Sequence, residues 1–165
     1  MRVVVIAAGI IGCAVSYELS RRGARVTLVD MRRPGDGATN ASAGVLSPYI
    51  ESHSPDFLQL ATASLSTYDG FIDTLRGECG GPIEYQRTGS IEVALTDAQM
   101  ERLRARADVY RAAGLDHHLL DAVEVHALEP QLAAGVVGGV IVPTHAFVGA
   151  RQLTRGDGAA PRGHR

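Results

Sequence analysis

The chain has 165 residues, 45% of them hydrophobic, with 16 basic and 18 acidic side chains and a formal net charge of −2. This length supports one modest core or two small lobes, and the balanced charge predicts no nucleic acid and no membrane as partner. Two cysteines outside any C-x-x-C pattern predict neither a disulfide framework nor a zinc site. The apolar run at residues 3–8 is too short to span a bilayer, so we expect a cytoplasmic protein. Because the balanced charge does not favour nucleic acid or a membrane, the expected partner is a small molecule.

The first thirty residues have the pattern strand, glycine turn, helix, strand. The β-branched run at residues 3–6 predicts a strand buried on both faces of a parallel sheet. An amphipathic helix is predicted from Ile10 and ends at Gly23, and a second strand over residues 25–29 leads to Asp30.

The sequence AAGIIG at residues 7–12 has the spacing of the dinucleotide-binding motif G-x-G-x-x-G, with alanine in place of its first glycine. In such a unit the helix N-terminus binds a pyrophosphate, and the acid after the second strand, here Asp30, accepts from a ribose hydroxyl and disfavours a 2′-phosphate. Gly9 allows close backbone approach, and Gly12 allows tight packing of helix on strand. Alanine at position 7 costs about 1 kcal/mol or more if its φ is positive, and little if φ is negative. The pattern predicts a dinucleotide site that Ala7 weakens but does not exclude.

The residues after Asp30 favour a flavin over a nicotinamide. A nicotinamide-binding half-domain continues with a second helix and a third buried strand, which this sequence lacks at that point. It has instead the segment MRRPGDGATNASAGVLSPY, rich in small residues whose backbone can lie against a flat ring. An ordinary surface loop is the alternative interpretation of this composition.

Three stretches resemble the FAD-dependent D-amino acid oxidase family, and within it the glycine oxidase group. They are VVVIAAGIIGCAVSYELSRRGARVTLVD, GATNASAGVLSPYIE and ALEPQL with GGVIVPTHAFV, and the resemblance extends over about residues 1–153. The resemblance implies FAD as the cofactor. It places cofactor-binding residues at the pyrophosphate turn (Gly9, Ile10, Ile11, Gly12), at the adenosine ribose (Asp30, Met31), along the phosphates (Ala38, Thr39) and near the isoalloxazine ring (Ala43, Gly44, Val45).

The resemblance also implies a reaction. A hydride passes from the α-carbon of glycine, a small D-amino acid or a secondary amine to flavin N5, O₂ is reduced to H₂O₂, and the imine is hydrolysed. The amino acid or amine and O₂ are the implied partners. No catalytic residue is assigned, because the residues that hold the substrate in this family lie later in the chain. The histidines lack a ligand spacing such as H-E-x-x-H, so no metal site is predicted.

The remaining sequence predicts alternating helices and strands. A helix of about five turns begins after Ser54, and strands around Tyr85 and over residues 91–95 form a hairpin with a turn at residues 88–90. Two capped helices follow, starting near Asp97 and Ala122. A strand over residues 136–142 is weakened by its two glycines.

The predicted fold class is α/β. It combines a Rossmann-like βαβ of an FAD-binding domain with the start of an antiparallel α+β substrate domain, in a chain expected to be truncated. The predicted segments are 1–53 (FAD-binding), 54–80 (connecting helix), 81–150 (substrate domain) and 151–165 (an aberrant or disordered tail). Open sheet edges predict exposed apolar surface and a homo-oligomer. A non-catalytic remnant and a nicotinamide-binding module are the alternative functions.

Overall fold

The computed structural model describes residues 1–48 and 54–158, and the chain forms two compact units. Of the described residues, the first unit contains 1–46, 54–86 and 147–158, and the second contains 47–48 and 87–146. Helices and strands alternate in both, so the predicted α/β class is confirmed. None of the helices in the two described ranges is long and apolar enough to cross a membrane.

The N-terminal strand, helix and strand form as predicted. Strand β1 (Arg2–Ile6) pairs in parallel with β2 (Arg25–Val29), and helix α1 (Ile10–Arg21) connects them. The expectation that β1 is buried on both faces is wrong, because alternate residues are exposed and Ile6 is 81% exposed. In the described part of the chain β1 pairs only with β2, and α1 packs on one face of this pair. The expected exposed apolar surface is therefore present on the other face.

A long helix contributes to the core of the first unit. After the short helix α2 (Ala38–Ala41) and strand β3 (Val45–Leu46), helix α3 (Pro55–Cys79) extends over 25 residues, about seven turns and longer than predicted. The Ser54 hydroxyl accepts from the Phe57 amide at its start. Its inward residues join side chains from α1 and from later parts of the chain in one cluster, which contains Tyr17, Ile72, Leu75, Ile83, Val148 and Leu153.

The last described helix extends beyond the end of the apolar pattern. Helix α6 (Ala150–Gly158) buries Leu153 and Thr154, and the Thr154 hydroxyl donates to the Ala150 carbonyl. Its backbone continues helically to Gly158, although the sequence pattern predicts no helix after Thr154. Residues 49–53 and 159–165 lie outside the described residues, and with them the end of the predicted tail.

The predicted hairpin around residues 88–90 is wrong. Strand β4 (Tyr85–Gln86) pairs with β8 (Ala146–Val148), whereas β5 (Ser90–Ala94) pairs with β7 (Gly138–Val142). Gly89 has a positive φ of 76°, and its amide donates to the His145 carbonyl between β7 and β8. Strands β4 and β5 therefore each pair with a later strand and do not pair with each other.

The second unit is a three-stranded antiparallel sheet with two helices. The central strand β7 lies between β5 and β6 (His118–Asp121), and helices α4 (Asp97–Ala112) and α5 (Ala122–Leu128) pack on the sheet. The two glycines of β7 lie where the neighbouring strands approach it closely. A Cβ at Gly138 would lie 2.7 Å from the Leu120 carbonyl oxygen, and one at Gly139 would lie 2.8 Å from that of Glu92. The absence of side chains therefore allows the neighbouring strands to approach.

His145 is fully buried in the connection between β7 and β8. Its Nδ1 lies 2.6 Å from the Ser90 hydroxyl. Burial lowers the pKa of His145 to about 4, since the imidazolium form loses its hydration there. The folded protein therefore holds this imidazole in its neutral form at neutral pH.

This buried imidazole predicts a loss of stability in mild acid. The unfolded chain binds a proton at His145 below about pH 6.5, whereas the folded chain binds it only near pH 4. The free energy of unfolding should decrease across this window as pH falls, by up to about 3 kcal/mol. Urea denaturation at several pH values measures the effect. His145→Gln should flatten the profile, with the exposed His118→Gln as control, and equal slopes for His145→Gln and the wild type would contradict the prediction.

Candidate functional site

A groove of about 630 Å³ opens at the end of β1, where the chain turns into α1. Its walls come from β1, the start of α1, the residue after β2 and the loop through α2. The sequence-predicted residues among the lining are Gly9, Ile10, Ile11, Gly12, Asp30, Ala38 and Thr39.

Ala7 has a φ of 88°, and it is the one non-glycine residue with positive φ in the described part of the chain. Because φ is positive, the alanine at this position is strained by about 1–2 kcal/mol. The strained conformation is held by neighbouring hydrogen bonds. The Ala7 amide donates to the Val29 carbonyl over 2.9 Å, and the Ala8 amide donates to Asp30 Oδ2 over 2.8 Å.

Gly12 is the point of closest approach between α1 and the turn. A Cβ at this position would lie 1.8 Å from the Ala7 carbonyl oxygen and 3.6 Å from Val5 Cγ1. Such a distance is incompatible with any side chain, so Gly12 packs the helix on the strand as predicted. Gly9 has a negative φ of −74°, and a Cβ there would lie 3.3 Å from Thr39 Oγ1. Its small size serves the contact with Thr39 rather than a left-handed backbone.

Asp30 holds the turn together with both carboxylate oxygens. Oδ2 accepts from the Ala8 amide and Oδ1 from the Arg32 amide, each over 2.8 Å. These backbone hydrogen bonds keep the pKa of Asp30 below its usual value, because they stabilise the ionised form. Each carboxylate oxygen retains a second lone pair, so the exposed side chain can still accept from a hydroxyl. The structural role of Asp30 adds to the ligand role that the sequence predicts.

Thr39 forms a hydrogen bond to the start of α1, a role that the predicted position along the phosphates did not indicate. Its buried hydroxyl accepts from the Ile10 amide over 2.9 Å, across 29 residues of sequence. Thr39 thus caps the first turn of α1 from another segment. Within the described ranges, the amides of Ile11 and Gly12 have no such acceptor. They are the first-turn donors that remain for an anion.

The segment predicted near the isoalloxazine ring is anchored to β8. Gly44 has a φ of 71°, and a Cβ there would lie 1.9 Å from the Val148 carbonyl oxygen. The Val148 amide donates to the Gly44 carbonyl over 2.9 Å, and the Gly44 amide donates to the Ser42 hydroxyl. Gly44 is buried, whereas Ala43 and Val45 are exposed on either side.

The groove lining does not include every predicted residue. Met31 is 95% exposed and lies outside the lining, as do Ala43, Gly44 and Val45. The lining includes Arg32 instead, which the sequence interpretation did not single out. A basic residue two positions after Asp30 is the sequence signal that could have indicated it. Among the described residues, no group of three or more His, Cys, Asp or Glu side chains could hold a metal ion.

The strain at Ala7 predicts that Ala7→Gly stabilises the protein. Glycine removes the strain, while greater freedom of the unfolded chain offsets about 0.4–1 kcal/mol of the gain. We expect the free energy of unfolding to rise by up to about 1 kcal/mol in urea denaturation. The control is Ala43→Gly, an exposed position with negative φ, which should lower it by about 0.4–1 kcal/mol. A similar loss in both variants would refute the strain at Ala7.

The contact at Gly12 predicts severe damage from a single methyl group. Gly12→Ala should lower the free energy of unfolding by at least about 2 kcal/mol, because the backbone of α1 must move away from β1. Gly70→Ala in α3 is the matched control, since nothing lies within 4 Å of its added Cβ. This control should gain about 0.5–1 kcal/mol from helix propensity. Comparable stability of Gly12→Ala and the wild type would exclude the close contact.

Comparison with known proteins identifies relatives that share this architecture. An uncharacterized oxidoreductase, YurR, from Bacillus subtilis is 32% identical over 136 residues, which are 80% of this chain and 36% of YurR. Glycine oxidase from Geobacillus kaustophilus is 30% identical over 153 residues, 92% of this chain and 41% of that enzyme. Its crystal structure matches with a TM-score of 0.91 over 96% of this chain and 44% of that one. The structure of iminodiacetate oxidase from Chelativorans has a TM-score of 0.80 at 29% identity, over 95% of this chain and 43% of that one.

The chain spans about two-fifths of the length of these relatives. The FAD dependent oxidoreductase family DAO matches residues 2–163, nearly the whole sequence. The resemblance drawn from the βαβ unit and the loop after it is therefore confirmed, and the protein belongs to the DAO family of FAD-dependent oxidoreductases, whose cofactor is FAD.

Proposed function

We propose that the groove at the start of α1 binds the ADP part of FAD. The observation that carries this proposal is that Ile11 and Gly12 line the groove while their first-turn amides have no acceptor in the described part of the chain. They lie at the positive end of the helix dipole, which favours a diphosphate. These features support an anion site at the residues that the family resemblance assigns to the pyrophosphate.

The remaining residues would hold the other parts of the cofactor. Asp30 would accept from the ribose hydroxyls with the lone pairs that its backbone contacts leave open. The family resemblance also assigns Met31, the next residue, to the adenosine ribose. Ala38 and Thr39 would lie along the phosphates, where Thr39 also fixes the helix start. The family resemblance assigns Ala43, Gly44 and Val45 to the isoalloxazine ring, and the contact of Gly44 with Val148 would hold that segment in place.

The reaction we propose for the whole protein is oxidation of a primary or secondary amine. Bound FAD supplies the hydride acceptor, and the substrate loses a hydride from carbon and a proton from nitrogen to give an imine. O₂ takes up the two electrons and two protons as H₂O₂, and water converts the imine to a carbonyl compound and an amine or ammonia. The names of two relatives, glycine oxidase and iminodiacetate oxidase, support a small amino acid or secondary amine as substrate.

A non-catalytic FAD-binding module is the second candidate. In the described part of the chain, the groove lining contains one acidic side chain, Asp30, and one basic side chain, Arg32. Both carboxylate oxygens of Asp30 already accept from backbone amides, which favours a structural and binding role over proton transfer. Exposed Val4 and Ile6 on β1 support self-association in either case. A cytoplasmic location remains part of the proposal.

Titration with FAD tests the binding proposal directly. Quenching of flavin fluorescence should saturate with the wild-type chain, and Asp30→Ala should weaken the affinity at least about tenfold because the turn and the ribose contact are both lost. Asp116→Asn, an exposed acid in the second unit, is the control and should bind FAD like the wild type. Unquenched fluorescence with a folded wild-type chain would overturn the proposal.

An oxidase assay separates the two candidates. Formation of H₂O₂ from glycine, sarcosine or D-alanine by the FAD-loaded protein supports the enzyme. Saturable FAD binding without H₂O₂ formation from any of them supports the non-catalytic module.

A further inference from the structure

Arg32 lies in the groove beside residues that the cofactor proposal uses. Its amide donates to Asp30 Oδ1 over 2.8 Å, which fixes the backbone where the side chain leaves the loop. The guanidinium group lies over Gly37. Its Nη2, Cζ and Nη1 are 3.1, 3.6 and 3.9 Å from the position of a Cβ at Gly37. The absence of a side chain at residue 37 leaves space for the guanidinium group at the groove wall.

The charge of Arg32 is not neutralised by an ion pair with another described residue. The neighbouring ion pair in this region joins Arg151 to Asp36 over 3.4 Å and does not include Arg32. Asp30 accepts from the Arg32 backbone amide, and the nearby Arg32 charge also helps to lower the pKa of Asp30. Among the described residues, no ion pair within 4 Å joins the carboxylate of Asp30 to the guanidinium group of Arg32. A planar guanidinium with free donors is suited to bind phosphate oxygens in a bidentate manner.

The charge balance of the groove points to the same ligand. The lining carries one negative charge at Asp30 and one positive charge at Arg32. A dinucleotide adds a negative charge on each of its phosphates. Without Arg32, the helix dipole alone would offset the repulsion between the diphosphate and Asp30. Arg32 therefore supplies the full positive charge that the predicted anion site otherwise lacks.

We propose that Arg32 binds the diphosphate of the cofactor and determines much of the affinity of this chain for it. This inference rests on the proposed FAD site and adds a binding residue to it. The interaction is electrostatic, so it weakens as ionic strength rises. Lysine at this position would keep the charge but lose the two-pronged geometry.

Three variants test the role of Arg32. Arg32→Gln should weaken the binding of FAD, measured by fluorescence quenching, and of ADP, measured by calorimetry, each by about tenfold. Arg32→Lys should fall between this variant and the wild type. Arg33→Gln is the matched control, because it removes the same charge from the next residue, which does not line the groove. The FAD affinity of Arg32→Gln should also depend less on salt than that of the wild type.

The outcomes distinguish this inference from the proposed function. Equal affinities for FAD and ADP in Arg32→Gln and Arg33→Gln would overturn the role of Arg32 while FAD binding stands. If the wild-type chain binds ADP but not FAD, the FAD proposal is overturned. If Arg32→Gln then also loses the binding of ADP, the result supports Arg32 as a diphosphate ligand. A folded wild-type chain that binds neither probe would overturn both.

Discussion

The contact between Gly12 and the carbonyl group of Ala7 is the constraint on which the N-terminal groove depends. Because the helix can approach the turn this closely, its first-turn residues Ile11 and Gly12 line the groove at the end of β1. The same contact sets the path of the chain through Ala7, whose φ of 88° is unusual for a residue with a side chain. The anion site and the strain next to it therefore have one geometric origin.

Two side chains distant in sequence stabilise this geometry. Asp30 accepts from the Ala8 amide after the strained residue, and Thr39 accepts from the Ile10 amide at the helix start. Both side chains are polar, both residues line the groove, and both side chains accept hydrogen bonds from backbone amides. Asp30 and Thr39 therefore each hold the backbone of the site and would also bind the cofactor. Substitution at Asp30 or Thr39 would consequently affect both stability and binding.

The sequence predicted the local features of the fold well. The β1–α1–β2 unit, the acid after β2 and the capped helix that starts near Ala122 follow from patterns of residues that are close together in the sequence. The capping box at Asp121 forms with both of its hydrogen bonds. Such features can be predicted because the residues that form the sequence pattern are the same residues that contact one another in the local structure.

Features that depend on distant partners could not be predicted in this way. The strands at residues 85–94 each pair with a later strand, and nothing in their own alternation distinguishes this from a hairpin. The sign of φ at Ala7 likewise follows from the packing of Gly12, and the position of the Arg32 side chain follows from Gly37. The assignments of Met31, Ala43, Gly44 and Val45 to the cofactor remain predictions.

Backbone-amide NMR spectra of the chain during titration with FAD would test the central claim most directly. The claim is that the start of α1 binds the diphosphate, so we expect the amide signals of Ile11 and Gly12 to shift progressively and saturate. Signals of α4 in the second unit should remain in place. Unchanged signals for Ile11 and Gly12 at saturating FAD, or shifts confined to the second unit, would contradict the claim.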